Sequence, residues 1–407
     1  MSSPTNGAPN LAPPVARPAS TAAAAAPAPA PFSTAALLAA MLKASAKISD
    51  LFFTPGKPPL VEVSGKLMPA GTSRMLTSDD TRHIASELIG KNQVALDNLR
   101  QNGSCDVSYS LPGAHRFRVN VFMQRGSCAI VMRVIPAKVP DFEALNLPAE
   151  LKKIVELRNG IVLVTGPTGS GKTSTQAAII DKINKEQSYH VLTIEDPIEF
   201  LHPHKNCIVN QRELHSDTPN FALALRAALR QAPKVILVGE MRDKETIEIA
   251  MEAAETGHLV LSTLHTIDAS KTVERIVGVF PMAEQHTLRN RLAKSFRYII
   301  SQRLVPRKDG TGRVAVIEVL KSTLRTREYV EKGETDGKTL LDAMRVGEQE
   351  GMQHFDGDIE RLIRAGVLDM ETGLAYATNP GNLQLDMSDL KLEAEVSADP
   401  LLETSSS

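Results

Sequence analysis

The chain has 407 residues, a formal net charge of −1 and 42% hydrophobic residues. This length allows roughly two or three domains, and the balanced charge gives no electrostatic reason to expect nucleic-acid binding. No run approaches the ~18 apolar residues of a membrane-spanning helix, and we see no secretion signal, so neither is expected. The 3 cysteines form neither a C-x-x-C pair nor an even disulfide set, which fits a reducing cytoplasm.

The N-terminal third is predicted to contain a disordered arm followed by a small domain. Residues 1–34 form the arm, because an Ala-, Pro- and Ser-rich composition cannot bury enough apolar surface to fold. Residues 35–145 form an α+β domain, in which apolar and polar side chains alternate on either side of a turn at 124–127. Its predicted elements are a helix at 35–46, a strand at 60–63, a helix at 79–100 and a strand pair across 105–135.

Residues 146–385 are predicted to form an α/β core that ends in short helices. Apolar runs typical of strands alternate here with helical patterns, which favours a parallel sheet covered by helices on both faces. The runs lie at 161–165, 191–195, 234–239 and 258–264. Residues 386–407 are acidic and Ser-rich and are predicted to form a loose, disordered tail.

A phosphate-binding loop is the strongest motif of the sequence. Residues 166–173 match the pattern G-x-x-x-x-G-K-[ST] at every fixed position, between an apolar run and a helical stretch. In such a loop backbone N–H groups face phosphate oxygens, Lys172 reaches the β- and γ-phosphates, and the Thr173 hydroxyl can hold Mg²⁺. The sequence therefore predicts that the chain binds ATP or GTP. The residues assigned to the nucleotide are Gly166, Pro167, Thr168, Gly169, Ser170, Gly171, Lys172, Thr173 and Ser174.

Polar residues follow the other predicted strands of the core. Glu195, Glu240 and His265 each stand at the end of one apolar run, and the carboxyl ends of parallel strands share the edge where ligands bind. Glu240 is the candidate general base that polarises the water attacking the γ-phosphate. Glu195 could orient Mg²⁺ through water, assist the base or cap a helix. His265 could sense the γ-phosphate, or it could be an ordinary core or surface histidine.

Four sequence boxes occur in order along the core: Gly166–Thr173, Thr193–Glu199 (TIEDPIE), Val235–Asp243 (VILVGEMRD) and Gly257–His265 (GHLVLSTLH). As Walker A, acidic, Walker B and histidine boxes, they resemble those of the secretion-ATPase superfamily, and most closely those of the PilT-like pilus retraction ATPases. The resemblance covers about Ser49 to Leu385. It implies a PAS-like N-terminal domain, a RecA-like P-loop core and a homohexameric ring, and it strengthens the site roles of His258 and His265.

The resemblance also implies that arginines of the N-terminal domain reach the nucleotide. The matching positions are Arg118, in Arg-Phe-Arg-Val-Asn, and Arg133, in Val-Met-Arg-Val-Ile-Pro. A cation besides Lys172 and Mg²⁺ is needed where charge builds on the transferred phosphoryl group. Alternation alone favours the other interpretation, a polar face on an exposed strand. The expected cofactors are ATP and Mg²⁺, with Thr173, Glu195 and Glu240 holding the metal partly through water.

The function expected from this resemblance is a cytoplasmic hexameric ATPase that powers retraction of a type IV pilus. Its expected partners are an inner-membrane pilus platform protein and a second retraction ATPase, without nucleic acid or membrane insertion. No four-cysteine zinc module of the assembly branch is present, whereas residues 325–332 keep little of the retraction motif and Ile267 replaces a common asparagine. The alternatives are a pilus assembly or type II secretion motor, and an accessory subunit with low turnover.

Overall fold

The computed structural model describes residues 33–45, 47–71, 73–111, 115–136 and 138–388. Most of the predicted arm (residues 1–32) and most of the predicted tail (from 389 onward) lie outside these residues. Helix α1 spans Thr34–Leu42, is capped by the Ser33 side chain and buries Thr34. The boundary predicted at residue 34 therefore falls at the ordered start of this helix. At the other end, Met387 is buried two residues past the predicted limit of the core, residue 385.

The N-terminal part is an α+β unit built on one antiparallel sheet. The six strands lie in the order β3-β2-β1-β6-β5-β4. Apolar side chains of α1 and of two further helices, α2 and α3, pack with the strands into one hydrophobic core. The helices α2 and α3 span Ser78–Ile89 and Gln93–Asn102, and the strands are β1 Ile48–Phe53, β2 Leu60–Val63, β3 Lys66–Pro69, β4 Ser104–Ser110, β5 Arg116–Gln124 and β6 Ser127–Ile135.

Local backbone geometry explains where the sequence prediction holds and where it fails in this unit. The single helix expected at 79–100 is wrong, because Gly90 at φ 57° ends α2 and the Asn92 side chain caps a new helix. The strand pair β5–β6 and its turn are confirmed. Arg125 and Gly126, both at positive φ, reverse the chain between β5 and β6, which is the geometry that favours tight hairpins.

The core is a seven-stranded sheet in the order β13-β12-β7-β11-β10-β8-β9. Every neighbouring pair is parallel except β12 and β13, which form an antiparallel edge. The strands β9, β12 and β13 were not predicted. The strands are β7 Gly160–Thr165, β8 His190–Glu195, β9 Ile208–Glu213, β10 Val235–Val238, β11 Leu259–Leu264, β12 Phe296–Pro306 and β13 Arg313–Lys321.

Helices cover both faces of this sheet, which is why its central strands read as unbroken apolar runs. All residues of β7, β10 and β11 are buried, and alternate residues of β7 belong to two different hydrophobic clusters. The helices are α4 Lys172–Glu186, α5 Phe221–Ala228, α6 Lys244–Glu255, α7 Ala269–Gly278, α8 Met282–Ser295, α9 Leu324–Lys332, α10 Leu340–Val346, α11 Phe355–Arg364, α12 Met370–Tyr376 and α13 Pro380–Asp386. Within the described ranges, no helix has the length and apolar character needed to cross a membrane.

Candidate active site

The phosphate-binding loop joins β7 to α4, as the motif predicts. Gly166 has φ 144°, and a Cβ there would lie 2.4 Å from the Gln302 carbonyl oxygen, so only glycine fits. Gly171 adopts a left-handed conformation directly before α4, and no side chain caps this helix. The first N–H groups of α4 are therefore left for a ligand. With the helix dipole, they form a site suited to phosphate oxygens.

Lys172 is buried at the base of this loop and is held by backbone oxygens. Its Nζ donates to the carbonyl oxygens of Gly166 at 2.8 Å and Pro167 at 3.0 Å. Burial lowers the pKa of Lys172 below its usual range, and the charges of Glu240 and Glu199 oppose that shift. The loop thus holds a cation in the position where the motif requires one for a triphosphate.

The strand ends predicted to converge do so, because β7, β11, β10 and β8 are adjacent and parallel. His265, directly after β11, lies between the phosphate loop and Glu240. Its Nδ1 lies 3.5 Å from Lys172 Nζ, and its Nε2 lies 3.5 Å from Glu240 Oε2. Glu240 also pairs with the Arg242 guanidinium at 2.6 Å. A carboxylate, an imidazole and an ammonium group therefore meet beside the phosphate loop.

Glu195, at the end of β8, is a buried carboxylate at this edge of the sheet. Its Oε1 accepts hydrogen bonds from Thr193 Oγ1 at 2.6 Å and from Gln211 Nε2 at 3.0 Å. Burial raises the pKa of Glu195 to about 7, although these two hydrogen bonds favour the charged form. The structure thus gives this acid fixed donors and a desolvated setting.

A cavity of about 1030 Å³ brings most of the predicted site residues together. This volume accommodates a nucleotide. Arg133 of β6 also lines it, so a side chain of the N-terminal unit reaches the same space. The predicted residues along its wall are Thr168, Gly169, Gly171, Lys172, Thr173, Ser174, Glu195, Glu240, His265 and Arg133.

Two predicted catalytic residues, His258 and Arg118, do not line this cavity, and neither do Gly166, Pro167 and Ser170 of the predicted loop. His258 stands directly before the amino end of β11, the opposite end from His265, and its Nδ1 lies 2.9 Å from the Ala253 carbonyl oxygen. Arg118 is exposed on β5 directly opposite Arg133, whose Nε donates to the buried Asp50 carboxylate at 3.0 Å. The catalytic roles of both residues stay predictions.

Sequence reasoning missed the contributions of β9 to this site. Gln211 contacts Glu195, and Glu213 pairs at 3.0 Å with Arg116 of the N-terminal unit. Glu213 Oε2 also accepts a hydrogen bond from the N–H of Ile198, inside the acidic box. The run Ile208–Glu213 carries only two apolar residues, so hydrophobic patterning gave a weak signal for a strand.

The side chains at the phosphate loop fit Mg²⁺ bound together with a nucleotide. No group of three or more His, Cys, Asp or Glu side chains among the residues described could hold a metal unaided. Magnesium in nucleotide sites is held by one or two protein oxygens together with phosphates and water. The half-buried Thr173 and Glu240 and the buried Glu195 line the cavity and offer oxygens of this kind.

Fold and site together define a P-loop nucleotide-binding protein with a RecA-like core. The sequence profile of the family "Type II/IV secretion system protein" matches residues 82–355, and the chain belongs to this family, in its PilT-like group. The four boxes identified in the sequence lie within the matched residues.

Most of the chain is similar in sequence to curated relatives and in structure to a solved protein. It is 41% identical over 334 residues to the "Type IV pilus retractation ATPase PilT" of Pseudomonas aeruginosa, covering 82% of this chain and 95% of that protein. It is 40% identical over 353 residues to the "Type IV pilus ATPase PilU" of the same organism, covering 87% and 90%. The crystal structure of "the Pilus Retraction Motor PilT and Bound ADP" has a TM-score of 0.76 and 40% identity, covering 86% of this chain and 98% of that chain.

Proposed function

We propose that this protein hydrolyses ATP to power retraction of a type IV pilus. The observation that carries the proposal is the convergence of Lys172, Glu240 and His265 within 3.5 Å contacts beside an uncapped helix N-terminus. Two relatives with most of their length covered are named as type IV pilus ATPases, and this supports ATP as the nucleotide and the pilus as the load.

The reaction follows from the roles these side chains can play. The loop N–H groups and Lys172 bind the phosphates, and bound Mg²⁺ supplies charge neutralisation on their oxygens. A water attacks the γ-phosphorus, its proton passes to Glu240, and the bond to the β-phosphate oxygen breaks. Arg242 must first leave the Glu240 carboxylate, and its 74% exposed side chain is free to move into solvent.

We further propose that the active form is a homohexamer in which neighbouring subunits complete each site. Arg118 and His258 do not line the cavity of their own chain, which supports a role towards a nucleotide held elsewhere in the ring. The ring would be cytoplasmic and would act at the inner membrane on a pilus platform protein, with a second retraction ATPase as a further candidate partner. Specific ATPase activity should therefore rise with protein concentration as rings form.

Replacement of the proposed base tests the chemistry. Glu240→Gln should bind ATP as the wild type does but reduce turnover by roughly 100-fold or more, because an amide takes no proton from water. Turnover by phosphate release and affinity by a fluorescent ATP analogue separate the two effects. Glu248→Gln, at a partly exposed position of helix α6, is the matched control and should be as active as the wild type. Wild-type turnover in Glu240→Gln would refute the assignment.

Deletion of the gene in its own organism tests the direction of work. Without a retraction motor, assembly continues unopposed, so cells should carry more surface pili and lose twitching. Glu240→Gln should not restore twitching, whereas Glu248→Gln should. Loss of pili upon deletion would place the protein in assembly instead, and unchanged pili and motility would favour an accessory subunit.

A further inference from the structure

Gln211 occupies a fixed place beside the acidic box, although it lies outside all four sequence boxes. In the parallel register of β8 and β9 it stands directly opposite Thr193. Both side chains donate to the same oxygen of Glu195, at 2.6 Å from Thr193 Oγ1 and 3.0 Å from Gln211 Nε2. The register of the two strands thus places two donors on one carboxylate oxygen.

The other contacts of the Gln211 amide hold it in one orientation. Its Nε2 also donates to the Phe200 carbonyl oxygen at 2.8 Å, while its Oε1 accepts from the His202 N–H at 2.8 Å. An amide flipped by half a turn would set its oxygen against two acceptors and its NH₂ group against a donor. The segment around Phe200 therefore orients the Gln211 amide, and the amide in turn donates to the Glu195 carboxylate from a fixed position.

Burial makes these donors difficult to replace. Glu195 is 9% exposed, so water has little access to supply a missing hydrogen bond, and an unsatisfied buried acceptor is costly. Of the two donors, Gln211 is the one anchored outside β8. Its loss would leave Thr193 as the side-chain donor to Glu195, so the orientation of the carboxylate would be less fixed.

We propose that Gln211 is a positioning residue for ATP hydrolysis, which holds the Glu195 carboxylate in its working orientation. The inference rests on the proposed ATPase function. The competing explanation is that Gln211 only fastens the segment around Phe200 and His202, with no effect through Glu195.

The test is a double-mutant cycle between Gln211 and Glu195. Gln211→Met keeps the length of the side chain and removes its donors. We expect kcat to fall roughly 10-fold, as for other residues that orient a group in the site, with KM and ATP-analogue affinity within about twofold of wild type. In a Glu195→Gln background the same change should reduce kcat no further, because the group through which it acts is already altered.

Matched variants separate positioning from folding. Asn210→Met alters the adjacent, exposed residue of β9 and should leave kcat unchanged. Thr193→Val should lower kcat as Gln211→Met does. Thr193→Ser keeps the hydroxyl and should therefore keep the wild-type kcat. Gln211→Asn keeps an amide in the site but is one methylene too short, so it should show the same loss if Gln211→Met does not fold. Thermal melting of each variant reports folding independently of activity.

The outcomes distinguish this inference from the proposed function. If the wild type is active, two results overturn this inference alone. One is an unchanged kcat in Gln211→Met, and the other is an equal loss of kcat from Gln211→Met in the wild-type and Glu195→Gln backgrounds. A folded, oligomeric wild type without ATP turnover overturns the proposed function and this inference with it.

Discussion

At the scale of the residue, Lys172 is held in place by the backbone of the phosphate loop. The carbonyl oxygens of Gly166 and Pro167 hold its ammonium group in a buried position. We expect Lys172→Ala to abolish measurable ATP binding and turnover, because the loop then lacks its fixed cation. Titration with a fluorescent ATP analogue measures the loss. Lys182→Ala removes a lysine from the same helix, where it pairs with Glu186, and should bind as the wild type does.

His202 makes stability depend on pH. It is buried, its Nδ1 has no hydrogen-bond partner among the described residues, and burial lowers its pKa to about 4. The unfolded chain binds a proton near pH 6.5, whereas the folded chain does so only near pH 4. The contribution is therefore fully present above about pH 6.5 and is lost as the pH falls towards 4.

The expected loss between pH 7 and pH 5 is roughly 1–2 kcal/mol from this residue. Chemical denaturation at both pH values measures it. His202→Gln removes the titrating group, so its unfolding free energy should fall less over the same interval. An equal pH dependence in both proteins would show that folding does not lower the pKa of His202.

At the scale of elements, the hairpin of β5 and β6 carries the two candidate arginines side by side. Arg118 and Arg133 are opposite one another in the strand register, and only Arg133 lines the cavity of its own chain. If both arginines act on the charge that develops in the transition state, Arg118→Ala and Arg133→Ala should each lower turnover by roughly 10-fold or more with a modest loss of ATP affinity.

Comparison of the two arginine variants tests how they act. Glu240→Gln subunits, which keep both arginines, can be mixed with subunits of either arginine variant, which keep Glu240. Some activity should return only if the arginine acts on the nucleotide of a neighbouring subunit. Arg100→Ala, an exposed arginine of α3, is the control and should keep wild-type turnover. Normal turnover in both arginine variants would leave them as part of a solvated strand face.

At the scale of the whole molecule, the ion pair of Arg116 and Glu213 links the N-terminal sheet to the core. Arg116 is 18% exposed and Glu213 is 4% exposed, at 3.0 Å. Removing one partner leaves a buried charge uncompensated. Arg116→Met should therefore lower stability by roughly 1–3 kcal/mol, after allowance for the partial exposure of Arg116.

A double-mutant cycle checks this prediction. Glu213→Gln should destabilise as well, although the Ile198 N–H can still donate to it, and the double variant should lose less than the sum of both. Thermal melting gives the stability of each protein. Additive losses would show that the two side chains do not stabilise each other across the junction.

The sequence by itself determined the nucleotide site and the class of fold. The phosphate loop is a contiguous run whose glycines, lysine and threonine require a strand before it and a helix after it, so local chemistry fixes its structure. The sequence also placed Glu195, Glu240 and His265 at one edge of the sheet. Buried parallel strands are apolar throughout, so the first polar side chain marks the end of each strand.

Only the tertiary structure decided which distant residues complete that edge. Gln211 reaches Glu195 because β9 adds beside β8, and Arg116 reaches Glu213 across 97 positions of sequence. Strand β9 carries only two apolar residues, so no apolar periodicity indicates a strand there, and the antiparallel edge β12–β13 follows no local motif. The separation of His258 from His265 likewise follows from the direction of one strand. Contacts of this kind depend on sheet order and on the placing of two folded units, which no short stretch of sequence encodes.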